Sequence, residues 1–374
     1  MRHTGGLGRL AFACRAAPAG AMMEKNENTR NYLRAMLFEH PDWTPCSVSI
    51  LPAAWRRHGE ALEEIVLAHP RLFPGYRAGS FRQQRLGPHY SRGRWTDVWG
   101  VQWENIEEGM DSMPDERSAP LHDWSAFSAF RLPDPEKRDD LLGNPVDWNA
   151  RAAHLRRVKE QGGLASGGLS HGFMFMRLFY LRGYSNFMLD VATHDPRLDA
   201  LAALVCDFNV RLVRLWLDAG IEMLHAGDDL GTQTALPISP ADWRRILKPC
   251  YQAIFGPCRQ QGVFVYLHSD GHILEIIPDL VECGVNVINP QVRANTLEGL
   301  RRVARGRVCI NLDLDRQLFP FATPEEIRDH IREAHETLNT PEGGLMLHAE
   351  CEPDVPPRNV RAICEALEEV CGLR

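Results

Sequence analysis

The sequence predicts an α/β fold, a (β/α)8 TIM barrel with an N-terminal helical and irregular cap segment. Three observations predict it. From residue 221 onward, short apolar runs of strand length alternate with amphipathic helical segments, a spacing that means parallel strands joined by right-handed crossovers. The 374 residues, 44% of them hydrophobic, can bury the core of one barrel with an extension. No glycine-rich phosphate-binding motif follows any strand, so the two common nucleotide-binding forms of the open, doubly wound sheet lose support.

In chain order, residues 1–22, "MRHTGGLGRLAFACRAAPAGAM", contain no acid, and their short apolar core "LAFAC" is followed by Arg15. They are expected to be a disordered extension ahead of a second start at Met22 or Met23, with a targeting peptide as the alternative. Residues 23–145 are expected to form a cap and lead-in segment. It holds helical patterns in "ENTRNYLRAMLFEH" and around "AAWRRHGEALEEIVLAHP", then the aromatic stretch "RGRWTDVWGVQWENIEEGM" and the Pro-rich "LPDPEKRDDLLGNPVDWNA". Five of the nine tryptophans lie between Trp43 and Trp103, which suits either a substrate-covering or docking surface or ordinary core packing.

Residues 146–374 are expected to carry the main part of the barrel. The strand-like runs are "IEMLHAG", "VFVYLHS", "VNVINP", "VCINLDL" and "GLMLHAE". Between them lie "SPADWRRILKPCYQAIFGPCRQQG", "ILEIIPDLVECG", "LEGLRRVARG" and "TPEEIRDHIREAHETL". Ser239 before Pro240 starts one helix, and Thr323 with Glu326 three residues on reads as a capping box. Gly262, Gly284 and Gly306 sit where helices should stop.

A net charge of −7 leaves no electrostatic footprint for nucleic acid. No apolar run approaches the roughly 20 residues of a membrane span. Ten scattered cysteines without a CxxC pair fit reduced thiols in a cytoplasmic enzyme better than a disulfide framework.

In such a barrel chemistry sits at the C-terminal strand ends, because the adjustable βα loops build that face. Those ends carry Asp228 and Asp229 in "AGDDLGTQ", His268 and Asp270 in "LHSDG", Asn289 and Gln291 in "INPQ", Asp313, Asp315 and Arg316 in "LDLDRQ", and His348, Glu350 and Cys351 in "LHAECE". So many ionisable groups on one rim suggest an active site. The candidate catalytic residues are Asp97, Asp228, Asp229, His268 and Asp270. Gln233, Tyr266, Gln291, Asp313 and Arg316 are the candidates for substrate binding. Asp228 could equally cap a turn, Asp313 and Arg316 could brace a loop as an ion pair, Cys351 could be a small buried hydrophobe, and His272 is expected to face solvent on the following helix. His268 and Asp270 can both turn inward if the backbone bends at Ser269–Gly271, which Gly271 makes easy. The pair then serves either as metal ligands or as an imidazole oriented by a carboxylate for acid/base work.

The segments "HSDG…ILEIIPDLVECGVNVINPQ", "DDLGTQ…ISPADWRRILKPCYQAIF" and "TPEEIRDHI…GGLMLHAECEPDVPPRNVRAICEAL" together resemble the uroporphyrinogen decarboxylase superfamily over most of residues 170–370. The resemblance implies one (β/α)8 barrel and one of two chemistries. One is cofactor-free decarboxylation of porphyrinogen acetate side chains; the other is zinc-dependent methyl transfer to or from a corrinoid protein. For the decarboxylase, Asp97 in "WTDVWG" matches the Asp that binds the pyrrole NH groups, and His348 lies one residue from the late His position at Ala349. The Arg-rich loop that grips substrate carboxylates has no match near residues 40–60, only a displaced echo in "SRGRW" at 91–95.

For the methyltransferase, His268 and then Asp270 stand where that branch has His and Cys, with Glu350 or Cys351 near its later Cys. The implied metal ligands are therefore His268, Asp270, Glu350 and Cys351, holding zinc. The corrinoid would come on a separate partner protein, the other partner being a small-molecule substrate. The leading expectation is zinc-assisted methyl transfer, ahead of the decarboxylase and of a non-catalytic binding barrel.

Overall fold

The computed structural model describes residues 25–373, so the extension with Met22 and Met23 lies outside the described residues. Helix α1 (Glu27–Leu37) starts at Asn26, whose side chain accepts from the Thr29 N–H, and stops at Phe38 in the left-handed region. Strand β1 (Cys46–Ile50) follows, then α2 (Pro52–His58) and α3 (Glu60–Ala68). Gly59, at φ 45°, breaks the second expected helix into this pair. The aromatic stretch forms a separate antiparallel sheet of β2 (Gly93–Thr96), β3 (Gln102–Asn105) and β4 (Met113–Pro114).

Next come α4 (Trp148–Glu160), β5 (Ser166–Gly168), α5 (Phe175–Arg182), α6 (Tyr184–Thr193) and α7 (Pro196–Ala219). The alternating part runs β6 (Met223–Gly227), α8 (Pro240–Ile246), α9 (Lys248–Gln261), β7 (Phe264–Ser269), α10 (Ile277–Cys283) and β8 (Val287–Pro290). It continues with α11 (Val292–Asn295), α12 (Leu297–Val303), β9 (Cys309–Asp313), α13 (Pro324–Leu338), β10 (Leu345–Cys351) and α14 (Pro357–Cys371). The Ser239 cap and the complete Thr323–Glu326 capping box are present, and Gly262 and Gly284 end their helices in the left-handed region. Gly306 lies beyond the end of α12, whose last turn closes at Ala304. The single helix expected over 239–262 is two, Pro249 standing in the first turn of the second, which begins after Leu247 and carries Pro257 in its interior.

Seven parallel strands form the main sheet in the order β1-β10-β9-β8-β7-β6-β5. The last strand pairs with the first, Ser47 opposite His348 and Ser49 opposite Glu350, as in a TIM-barrel-like fold. Among the described residues the sheet has seven strands, one fewer than the eight expected, and stays open between its edges β1 and β5, which residues 51–165 separate along the chain. The division expected at residue 145 does not follow the sheet, since β1 belongs to the barrel. Helix α1 plugs the barrel floor: Leu33, Met36 and Leu37 pack on the inward-facing Met223, Val287, Cys309 and Met346. The tryptophans of the small sheet are packing residues. Trp99 meets Phe208 of α7 at 4.5 Å, Trp103 meets Tyr180 of α5 at 4.9 Å, and Trp95 stacks on Trp103. Nine cysteines are described, and no disulfide joins any of them. Among the described residues no helix is long and apolar enough to cross a membrane.

Candidate functional site

Side chains alternate along a strand, so every second residue of each barrel strand faces the lumen. On β7 these are Phe264, Tyr266 and His268, half-buried between the fully covered Val265, Leu267 and Ser269. The same alternation turns His225, Asn289, Asn311, Asp313, His348 and Glu350 inward from the neighbouring strands. It turns Cys351 the other way, into the helix layer, where it is 0% exposed. Burial there pushes its thiol well up. Cys351 is therefore not a ligand, because Glu350 and Cys351 cannot both face the lumen.

The rim gathers a cluster that includes one residue not expected from the sequence. His171 follows β5 and places Nε2 3.2 Å from Asp229 Oδ1. His268 Nε2 lies 3.8 Å from the same oxygen. One ligand-type atom from each of His171, Asp229 and His268 lies within 4.8 Å of the other two. His171 went unnoticed because its strand is the three-residue "SGG", with no apolar run to mark it. The glycines themselves carry the signal: a Cβ on Gly227 would meet the His171 ring at 2.6 Å, so Gly227 is what gives the imidazole its seat.

His268 is held from both sides. Its Nδ1 is 2.7 Å from Asn289 Oδ1, and the Asn289 amide donates to the Asn311 carbonyl at 2.6 Å. That orientation keeps a proton on Nδ1 and turns Nε2 toward Asp229 and Asp270. Burial pushes the imidazole down, yet the hydrogen bond and charge of Asp270, 3.1 Å from Nε2, together with Asp229 and Asn289, lift it to about 9. Burial likewise opposes and Asp229 outweighs it at His171, which is raised. Asp229 is lowered, its burial outweighed by the two imidazoles and the Asp270 N–H.

Asp270 is shared between this cluster and Arg316. The Arg316 guanidinium donates to Asp270 at 2.9 Å, to Glu350 at 2.8 Å and through Nε to Asp313 at 2.9 Å. Glu350 is thereby tied to Arg316 rather than to the imidazoles. The Asp313–Arg316 pair is present within the one loop, and the bonds of Arg316 to Asp270 and Glu350 carry it across the rim.

Two of the expected catalytic groups have their oxygens committed elsewhere. Asp228 is fully buried and caps α5, accepting the N–H groups of Phe175 and Met176 at 2.5 and 2.9 Å and the Tyr251 hydroxyl at 2.6 Å. Burial raises its carboxyl to about 6 against those donors. Asp97 lies buried under the small sheet, where it accepts from the Trp99 and Val101 N–H groups, Trp103 Nε1 and the Arg177 guanidinium at 2.8 Å. None of these partners is a rim residue.

Gln291 accepts from the Gly271 N–H and so ties two rim loops, while the Tyr266 hydroxyl accepts from Asn311 at 2.9 Å inside the lumen. Gln233 sits in an exposed loop and makes no hydrogen bond among the described residues. His272 precedes α10 rather than lying on it, and its Nδ1 meets the Ala294 carbonyl at 2.8 Å. Burial pushes His348 down to about 4, with Arg316 and His268 adding; its ring nitrogens meet the hydroxyls of Ser47 and Ser49.

The arrangement suits a divalent metal. A tetrahedral zinc site with bonds of about 2.0–2.1 Å sets its donor atoms about 3.3 Å apart. The spacings of 3.2 and 3.8 Å around Asp229 Oδ1 lie close to that value. Two imidazole nitrogens and one carboxylate oxygen leave a position open, as catalytic zinc sites do.

Residues 149–370 match the family model described as uroporphyrinogen decarboxylase (URO-D), more than half of the chain. Among solved structures, a methyltransferase from Methanosarcina mazei superposes with a TM-score of 0.55 at 17% identity, covering 91% of this chain and 98% of that one. At that identity the likeness is one of fold. A B12-independent methionine synthase from a Shewanella species gives a TM-score of 0.39 at 13% identity, covering 62% of this chain and 68% of that one. No curated protein sequence matches.

Proposed function

Since the chain belongs to the uroporphyrinogen decarboxylase family, whose members are enzymes, we propose that it is a zinc-assisted methyltransferase moving a methyl group between a small substrate and a corrinoid carried by a partner protein. The observation that carries this reading is the convergence of His171, Asp229 and His268 at the C-terminal rim. Bound there, zinc would act as a Lewis acid on a thiol or on the heteroatom bearing the methyl group. Asn289 keeps the His268 proton on Nδ1 and leaves Nε2 to the ligand position. Asp270 takes the place of a ligand thiolate in a different role: its carboxylate accepts from Arg316 and stands 3.1 Å from His268 Nε2, where it holds the ring toward the ligand position. The decarboxylase reading is weaker, because a polycarboxylate substrate needs free cationic clamps, and Arg316 is already engaged by three carboxylates.

Metal analysis of the purified protein tests this. Wild type and Cys351→Ala are expected to carry about one zinc per chain, and His171→Ala, Asp229→Ala and His268→Ala a small fraction of that. Equal and negligible zinc in all of them would remove the metal reading. On the loaded wild type, transfer of the methyl group from methylcob(III)alamin to a small thiol, followed by the change in cobalamin absorbance, is expected to disappear in His171→Ala.

A further inference from the structure

We propose that the barrel lumen beneath the rim is a seat for a small protonated amine, held by Asp313. The proposal deepens the methyl-transfer reading by naming the substrate as an amine, and it rests on that reading only for the amine being methylated.

Charge is the first reason. One guanidinium, Arg316, faces the carboxylates of Asp270, Asp313 and Glu350. Asp270 is also paired with His268 Nε2 at 3.1 Å, so the excess negative charge rests on Asp313 and Glu350, which share the one guanidinium. Burial raises Glu350, and Asp313 and Asp270 add to it against the opposing charge of Arg316.

The second reason is independent of the charge count. The Asp313 side chain is 1% exposed; its Oδ2 takes the Arg316 donors, while Oδ1 is buried with no hydrogen-bond partner among the described residues. Asn311, two residues earlier on the same inward face of β9, has its Oδ1 in the same condition. A buried acceptor without a donor costs about 1–3 kcal/mol, more for a charged group. Two unmet acceptors on one wall call for a ligand that brings N–H donors.

The remaining walls fit an alkylated nitrogen. Tyr266 and His225 face each other in the lumen with ring centroids 5.0 Å apart. The His225 ring makes no hydrogen bond among the described residues, and desolvation in the lumen holds its pKa below the usual histidine range. Aromatic faces beside an acidic group attract alkylammonium ions. The floor packed under α1 limits the depth, so the seat takes a small molecule.

Isothermal titration calorimetry on the purified full chain tests the seat, with dimethylammonium as the probe and acetate and isopropanol as anionic and neutral probes of similar size. Zinc content and circular dichroism are measured on the same preparations. Dimethylammonium is expected to bind at least about tenfold tighter than either other probe. Asp313→Asn should remove about that factor while leaving zinc content unchanged. Glu350→Gln, which keeps Asp313 and takes one charge from the excess, should weaken binding by about threefold, and it carries the test if Asp313→Asn does not fold. Binding no tighter than that of acetate, or unchanged in whichever of the two variants folds, would overturn the seat. Tight dimethylammonium binding to a protein without zinc supports the seat and counts only against the methyl-transfer reading.

Discussion

His268 has its chemistry set by groups on either side of the ring. Asn289 Oδ1 at 2.7 Å holds the proton on Nδ1, and Asp229 and Asp270 draw charge to Nε2. Partners of this kind typically contribute 10–100-fold to metal affinity by fixing the ring and its tautomer. Asn289→Leu keeps the side-chain volume and removes the acceptor. It is expected to weaken zinc binding by about 10–100-fold in a chelator competition, with the circular dichroism spectrum unchanged. Unaltered affinity would mean that Asn289 does not orient the imidazole. At this scale the sequence showed His268 and Asp270 as a pair, but His171, the second imidazole of the cluster, follows a strand too short and too polar to be seen in the pattern.

The loops after β6 and β7 form the element that sets the distance between Asp229 and His268. They touch backbone to backbone: His272 N–H donates to the Thr232 carbonyl at 2.7 Å and Leu230 N–H to the Ser269 hydroxyl at 3.0 Å. Gly271 has φ 80°, and a Cβ there would come within 2.2 Å of the Gly231 backbone. The bend expected at Ser269–Gly271 is thus present, with the added reason that a second loop leaves no room for a side chain. Gly271→Ala must push the loops apart as well as strain its own φ, costing about 1–3 kcal/mol. It is expected to lower the urea midpoint and to reduce bound zinc well below one per chain. A stable variant with full zinc would show that the loop contact does not position the site.

Across the whole molecule, desolvated imidazoles contribute to how stability responds to acid. His225, His330, His335 and His348 are all held below the usual histidine range chiefly by burial, His348 at about 4. Their folded pKa values lie below the unfolded value of about 6.5, so between the two the unfolded chain binds more protons. Their contribution is therefore intact above about pH 6.5 and is lost as pH falls toward 4. His268, raised to about 9, works in the opposite sense and contributes most below its unfolded value. His330 accepts the Asp315 N–H at 3.2 Å, a bond a glutamine carbonyl can replace. The urea midpoint of His330→Gln is expected to fall less between pH 7 and 5 than that of wild type, and an identical slope would remove His330 from the acid response.

What the sequence determined by itself was local. Strand alternation, the Ser239 and Thr323 caps, the glycine stops and the rim positions of Asp229, His268, Asp270, Asp313 and Arg316 depend on residues a few positions apart, which set hydrogen bonding and side-chain direction directly. Only the tertiary structure decided which of these groups meet. Arg316 reaches Asp270 and Glu350, 46 and 34 residues away, and His171 reaches Asp229 across 58. Such encounters follow from the register and curl of the sheet, which the local pattern does not encode. The same register chose Glu350 over Cys351 for the lumen, sent Asp97 and Asp228 to buried hydrogen-bond networks, and placed β1 beside β10.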